Sequence, residues 1–356
     1  MTLIKSLEQT MHKNASRKVV VNNPCICCGT TASALFLRTR FVQYPGWFNY
    51  RQCCQCGLVY NSPRLEDLSV LYDQDYFLYH RDSSSMRKRV LGQIQRLVLP
   101  ATSYAPGKRL IELGSARGHL LAALQQLGYE VQGLELSSDA VVESQATYHI
   151  PVFQGTAEQY LHAGHPGTFD IALACTVIEH VGAPDVFVEA CASLLKPGGV
   201  LVMDMPNIDS HNAQTAGPAW EMYQKYHVYL FSPTTITRLL ERHAFEVIQT
   251  YTYDNHPLSK RQTHDLARRR RLLLILDSIG LYPVVRSWYR RRRRRVSPIS
   301  DDKFRLITKE DIEQLESYEN SRDARGPLAS QQRGDHLVVM ARKMNNPPCR
   351  TGAFQV

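Results

Sequence analysis

Long apolar runs are missing: no stretch of the 356 residues approaches the roughly 20 consecutive apolar residues that span a bilayer. The opening MTLIKSLEQTMHKNASRKVVVNNP also lacks the apolar core of a signal peptide. The expectation is a cytoplasmic chain, in which cysteines stay reduced rather than form disulfides. The usual phosphate-cradling loops are absent as well. A G-x-G-x-x-G pattern laid on Gly114 meets Ala116 and His119, so a dinucleotide is disfavoured. Gly118-His119-Leu120 supplies neither the lysine nor the hydroxyl of a P-loop, which excludes ATP by that route.

What is present begins with size. A chain with 44% hydrophobic residues can build one large core plus accessory modules of about 50 to 100 residues. The nine cysteines are not scattered evenly. Cys25-Ile-Cys-Cys28-Gly29 and Cys53-Cys-Gln-Cys56-Gly57 repeat C-x-x-C-G, with 24 residues between Cys28 and Cys53. That doubled spacing is the two-knuckle signature of a four-thiolate structural zinc site, with Cys25, Cys28, Cys53 and Cys56 as ligands. The glycine after each second cysteine permits the tight turn that aims amides at sulfur. Cys27 and Cys54 are spare thiols, either of which can substitute for its neighbour. Cys175, Cys191 and Cys349 read as small hydrophobes.

Downstream, strand and helix signals alternate, the mark of a parallel sheet flanked by helices. Strands are expected at Arg109 to Leu113, Glu130 to Leu136, Phe169 to Cys175, Val200 to Met205, Phe245 to Thr250 and His336 to Ala341. Between them come helices at Gly118 to Leu127, with Leu120, Leu121, Leu124 and Leu127 on one face, from a Ser138 cap to Tyr148, and at Asp185 to Leu195. Ser232-Pro233 caps a further helix that runs to Arg242.

The pattern Glu112, Gly114, Ala116, Gly118 reads E-x-G-x-(G/A)-x-G and resembles motif I of the class I S-adenosylmethionine-dependent methyltransferases. That ligand carries no phosphates, so a tight turn without lysine suffices. Glu112 can face its methionine amino group, and Ala116 is tolerable if its backbone stays at negative φ. Glu135, 21 residues after Gly114, is placed to accept both ribose hydroxyls. The likeness extends to Thr156, Ala157 and Glu158 as the adenine-lining segment, to FDIALACTVIEHVGAPDVF and LLKPGGVLVMDMPN as the fourth and fifth strands, and to YHVYLFSPTTITRLL. The C-x-x-C-G pair followed by LVYNSPRLEDLSVLYDQDYF is similar to a bacterial subgroup with a zinc-ribbon leader, several members of which are associated with sugar or polysaccharide biosynthesis.

The resemblance implies a Rossmann-like α/β fold: a seven-stranded, mostly parallel sheet with an antiparallel last strand, plus a small N-terminal zinc ribbon. The expected units are residues 20–64 for the ribbon, 65–256 for the cofactor-binding core, 257–330 for a basic insertion, 331–344 for the final core strand and 345–356 for a tail. Methyl transfer to a hydroxyl needs alignment and a base. His227 and His180 are the candidate bases, with pKa values expected near neutrality, and Glu179 the group that orients them or binds acceptor. Such histidines also serve simply to bond backbone carbonyls. Tyr72, Tyr76 and Trp220 are candidates for the acceptor pocket or for core. Thr176 stands where related O-methyltransferases carry a cation-binding acid, so no catalytic metal is expected.

Residues 257–296 hold thirteen lysines and arginines against Asp265 and Asp277, a local +11 that exceeds the whole chain's +9. Positive charge is therefore localised. Between the arginine blocks lies LLLILDSIGLYPVVRSWY, too short and interrupted to span a membrane. An anionic membrane surface is the favoured partner, with a helical hairpin that packs its Leu/Ile face on the domain next and nucleic acid least. The expected acceptor is a small-molecule or lipid-linked glycan, met in the cytoplasm or at the inner membrane face. The alternative is a non-catalytic adaptor that binds an anionic partner through its arginines.

Overall fold

The structure is a computed structural model that describes residues 19–21, 24–42, 47–65, 83–165, 167–253, 258–293, 307–318 and 332–345. Tyr72, Tyr76, Cys349, Arg294 and Arg295 lie outside them. Two short strands, β1 (Val19–Val20) and β5 (Arg64–Leu65), pair antiparallel and bracket the ribbon strands β2 (Ser33–Thr39), β3 (Phe48–Cys53) and β4 (Val59–Asn61). The core strands are β6 (Arg109–Leu113), β7 (Glu130–Glu135), β8 (Val152–Gln154), β9 (Phe169–Cys175), β10 (Leu195–Pro206), β12 (Phe245–Tyr253) and β13 (His336–Lys343). They form one seven-stranded sheet in the order β12-β13-β10-β9-β6-β7-β8. Only β13 runs against its neighbours, inserted between β10 and β12.

Several boundaries differ from the sequence expectation for local reasons. The hydroxyl that caps the helix Ser138–Tyr148 is that of Ser137, which accepts from Ala140 N, rather than that of Ser138. Leu195 already pairs with Phe169 in the sheet, so β10 starts five residues early and passes Lys196-Pro197-Gly198-Gly199 as a bulge. β7 stops at Glu135, which frees Leu136 to lie exposed. Leu120, Leu121 and Leu124 of the helix His119–Gln126 are buried, but Leu127 sits on its C-cap and is not. Each such burial contributes about 1.5–3 kcal/mol. Ser232 and Thr235 close a capping box on the helix Pro233–Glu241, as the Ser-Pro start implies.

Both faces of the sheet are covered. One core gathers Ile111, Ala172, Leu201 and Val339 with the helix Pro184–Leu194 and Leu239, and it also takes in Cys25, Leu58 and Tyr60 of the ribbon. The opposite core receives Met86, Val90, Ile94 and Leu97 from a helical segment not among the expected elements, formed by the helix Ser83–Gln93 and the turn Ile94–Val98. Its signal is the 86, 90, 94, 97 spacing of apolar residues. Part of the expected insertion returns to this core as well: Ile307 and Leu315 are buried there, and Arg87 pairs with Asp311 at 2.5 Å.

The ribbon is bonded to the core rather than tethered to it. A short strand, β11 (Tyr229–Leu230), extends its sheet to the order β11-β4-β3-β2. Asn61 N donates to Val228 O at 2.8 Å, and Arg242 Nη1 donates to Ile26 O at 3.0 Å. No described helix is long and apolar enough to cross a membrane.

Candidate functional site

Three segments meet at the carboxyl ends of β6, β7 and β9, the place where open α/β sheets bind ligands. The glycine loop after β6 folds onto the end of β7: Gly114 N and Ser115 N donate to Leu134 O, and Ala116 N donates to Glu135 Oε2 at 2.8 Å. Gly155 N donates to Glu135 O at 3.0 Å, which brings the Thr156–Glu158 segment beside the same carboxylate. Thr156 caps the helix Ala157–His162 through a capping box with Gln159, and Ala157 is buried. Glu135 Oε1 accepts from Ser137 N at 2.9 Å, so each of its oxygens already holds one amide and keeps a lone pair for a ligand.

The loop admits little besides glycine. Gly118 has φ +74°, and a Cβ there would stand 2.3 Å from Ser144 Oγ and 2.4 Å from Ile150 Cδ1. Gly114 has φ +73° and approaches Val177, whose Cγ2 would lie 2.9 Å from an added Cβ. The expected negative φ at Ala116 is not found: its φ is +47°. The amide bond to Glu135 holds it in this left-handed region, at a cost of about 1–2 kcal/mol.

Glu112, fourth residue of β6, is buried, and its Oε2 has no hydrogen-bond partner. Burial, then repulsion from Glu135, push its carboxyl up to about 8. A buried carboxyl with one oxygen left without a hydrogen bond, next to a close-approach loop, is suited to a ligand's ammonium group. This is the fit that an S-adenosylmethionine methionyl end requires of the chain.

A second cluster closes the site. Thr176 holds φ +53°, an outlying conformation for a β-branched residue that costs about 1–3 kcal/mol. Behind it the turn Ile178–His180 carries Glu179 and His180. His227 arrives from the far side of the chain, in the segment that leads into β11, with Val228 N donating to Glu179 O at 2.7 Å. The two imidazole centroids lie 4.7 Å apart. His227 Nδ1 donates to Met222 O at 2.7 Å and His180 Nδ1 donates to Tyr226 O at 3.2 Å, because a carbonyl can only accept. Each ring thus has Nδ1 engaged and leaves Nε2 as the second nitrogen, that of His180 standing 3.8 Å from Glu179 Oε1.

The electrostatics differ from the expected near-neutral histidines. Burial pulls His180 down to about 4 and His227 well below the usual value, the latter also by repulsion from His180. Glu179 is almost fully buried with no hydrogen-bond partner for either oxygen, and burial, aided by Asp204, raises it to about 8. Both rings are therefore neutral at physiological pH, with the carboxyl beside them holding a proton. The donor atoms of Glu179, His180 and His227 all lie within 4.8 Å of one another.

The four cysteines form the other cluster. One ligand atom each from Cys25, Cys28, Cys53 and Cys56 lie within 4.8 Å of one another, with Sγ pairs at 3.6 Å (Cys25–Cys56) and 3.5 Å (Cys28–Cys53). A tetrahedron of sulfurs about 2.3 Å from zinc has edges of about 3.8 Å, so the set fits that ion. Gly29 N and Gly57 N turn back to Cys25 O and Cys53 O. Cys27 instead donates to Thr235 O at 3.4 Å and Cys54 is exposed, so the cluster itself uses the C-x-x-C pairs.

Two groups escape sequence reasoning. Tyr50 of β3 is fully buried, and its hydroxyl lies 2.9 Å from Gln224 O and 3.2 Å from His227 O, so the ribbon holds the backbone that carries His227. Asp204 is buried, with Tyr253 donating to it at 2.6 Å and His336 at 3.2 Å. Its signal was the single carboxylate inside the apolar run VLVMDMP. Trp220 belongs to a small core with Tyr50 and Tyr223, its Nε1 donating to Asp335.

Residues 84–250 match a family described as Methyltransferase domain. The ubiquinone biosynthesis O-methyltransferase of Burkholderia pseudomallei is 28% identical over 177 residues, 46% of this chain and 75% of that protein. Its namesake from Paraburkholderia phymatum is 35% identical over 104 residues, 27% of this chain and 44% of that protein. Among solved structures, a SAM-dependent methyltransferase from Archaeoglobus fulgidus is similar at 16% identity, covering 76% of this chain and 100% of that one, with a TM-score of 0.46.

Proposed function

We propose that this chain, a class I S-adenosylmethionine-dependent methyltransferase, methylates a hydroxyl group of a sugar or glycan-type acceptor, free or lipid-linked. The observation that carries the reading is the juxtaposition of two neutral imidazoles with the buried Glu179 beside the glycine loop. Oxygen as the methylated atom is supported by relatives named O-methyltransferases. The four-cysteine ribbon supports a glycan, through its likeness to polysaccharide-associated enzymes.

Glu112 would hold the ammonium end of the cofactor, the Gly114–Gly118 loop would lie against it, Glu135 would take the ribose, and Thr156, Ala157 and Glu158 the adenine. When bound, the cofactor supplies a methyl group made electrophilic by a sulfonium. His227, with its Nδ1–H tied to Met222 O, would accept the acceptor hydroxyl's proton at Nε2. His180 packs edge-on against it, and ionised Glu179 offsets the positive charge that the proton brings. The four cysteines would hold a structural zinc that ties down the end of β3, the strand whose Tyr50 bonds the His227 backbone. A second reading, favoured by the mutual 4.8 Å spacing of Glu179, His180 and His227, places a divalent cation there.

The test is incorporation of labelled methyl from S-adenosylmethionine into a panel of sugar nucleotides and lipid-linked sugars. The wild-type rate is expected to rise with pH toward a plateau above about 8, as Glu179 loses its proton. His227→Asn lowers it by about 10²–10⁴, and Glu179→Gln abolishes the pH dependence. Loss of activity with a chelator at intact ribbon zinc would select the cation reading. Cofactor binding without transfer to any sugar would overturn the acceptor class, and absence of cofactor binding would leave the non-catalytic adaptor.

A further inference from the structure

The basic insertion forms two helices in which no described side chain is buried, the first of them packed near its start on the helix His211–Ala216. Lys260–Ser278 is capped by Ser259 in a capping box with Gln262 and contains no buried residue, although its sequence includes Leu272-Leu-Leu-Ile-Leu276. Its end is a glycine turn. Gly280 at φ +73° lets Gly280 N donate to Asp277 O at 3.1 Å and Leu281 N to Leu276 O at 2.8 Å, after which Tyr282–Arg293 begins.

The base of this arm is pinned. Leu258 N donates to Asn212 Oδ1 at 2.7 Å, and Arg270 Nη2 donates to Thr39 Oγ1 at 2.5 Å with its guanidinium over Phe41. Arg270 thus turns inward, while along the same helix Leu272 and Ile275 are exposed and Leu273, Leu274 and Leu276 are half-buried. Of fourteen large hydrophobic side chains exposed among the described residues, six lie within 272–288: Leu272, Ile275, Ile279, Leu281, Val284 and Trp288. Trp288 is 54% exposed and Ile279 60%. The Arg270 contact also joins the arm to the edge strand of the ribbon sheet. There Trp47, 55% exposed, lies under Arg38 at 4.6 Å.

We propose that this arm, together with the Trp47 edge of the ribbon, docks the enzyme on an anionic lipid bilayer surface. Charge complementarity sets the sign of the partner. The segment 257–296 carries a net +11, while the remainder of a +9 chain comes to −2. Exposed aliphatic side chains and tryptophans set its kind. A polyanion such as nucleic acid offers phosphates to Arg268, Arg269 and Arg271 but no apolar phase for Leu272, Ile275 and Ile279. A bilayer interface takes both at once: arginines at the headgroups, aliphatics at the acyl boundary and tryptophan between them. Docking of this kind is independent of which acceptor is methylated.

The experiment is sedimentation of the full-length, zinc-loaded protein with vesicles of phosphatidylcholine alone or with about a third phosphatidylglycerol, with tryptophan fluorescence recorded in parallel. Binding to the anionic vesicles only, with a blue-shifted emission quenched by brominated lipid, is expected. Arg268→Gln, Arg269→Gln and Arg271→Gln together weaken it about a hundredfold, some fivefold for each charge. Leu272→Gln, Ile275→Gln and Ile279→Gln together weaken it at least tenfold without changing net charge. Unchanged S-adenosylmethionine affinity in both triple variants shows that each is folded. Three results overturn the proposal: no vesicle binding, equal binding to neutral vesicles, or binding that the apolar variant retains and a short DNA duplex displaces.

Discussion

Cofactor binding should expel a proton from Glu112. Its carboxyl is buried, lacks a partner at Oε2 and is raised to about 8, first by burial and then by Glu135. At about pH 7 such a group is about nine-tenths protonated, and an ammonium brought against it favours the ionised form. Binding S-adenosylmethionine at that pH therefore releases close to one proton. Titration calorimetry in phosphate and in Tris reads the release as a difference in apparent enthalpy that scales with the buffers' ionisation heats.

The same displacement governs stability. A folded value raised from 4.5 to about 8 means that the native state holds this proton more tightly than the unfolded chain. Its stabilising effect is complete below 4.5 and is lost as pH climbs to about 8, about 5 kcal/mol in all. Glu112→Gln is thus expected to leave the ligand-free protein unchanged at about pH 4.5, to make it more stable in urea at about pH 8.5, and to abolish cofactor binding. A binding enthalpy independent of buffer, or a Glu112→Gln variant that is less stable at alkaline pH, would refute the reasoning.

Two further outcomes follow from the packing. Gly118→Ala forces a methyl group against Ser144 and Ile150 at positive φ, so it should cost about 2–4 kcal/mol in urea unfolding and weaken the cofactor. Tyr50→Phe removes the hydroxyl facing Gln224 O and His227 O while the ribbon keeps its cysteines. It should lower kcat with little change in cofactor affinity at a cost of about 1–3 kcal/mol in stability, and zinc chelation should reproduce the kcat loss; unchanged kcat would detach ribbon from catalysis.

The glycine loop after β6 was legible because its residues are local. Glu112, Gly114, Ala116 and Gly118 occupy one loop after one strand, so spacing alone records the turn. The C-x-x-C-G repeats are legible for the same reason, since each knuckle is a short-range geometry. Less legible was anything that depends on what surrounds a residue. His180 and His227 are ordinary histidines in a string of letters, and burial takes both away from the near-neutral range. Ala116 adopts a positive φ because a carboxylate 19 residues later in the chain holds its amide.

What the amino-acid sequence determined by itself was the order of elements, the parallel core with its glycine loop, the paired thiolate knuckles and the place where positive charge collects. These follow from periodicity, turn chemistry and composition, all short-range properties. Tertiary structure alone decided that β11 joins the ribbon sheet, that Tyr50 sits under His227, that Glu112 and Glu179 are buried with carboxyl oxygens that lack hydrogen bonds, and that Leu272 and Ile275 of the insertion are exposed. Each is a contact or an exposure between segments far apart in the chain, and desolvation is a property of the packed surroundings that no single stretch encodes.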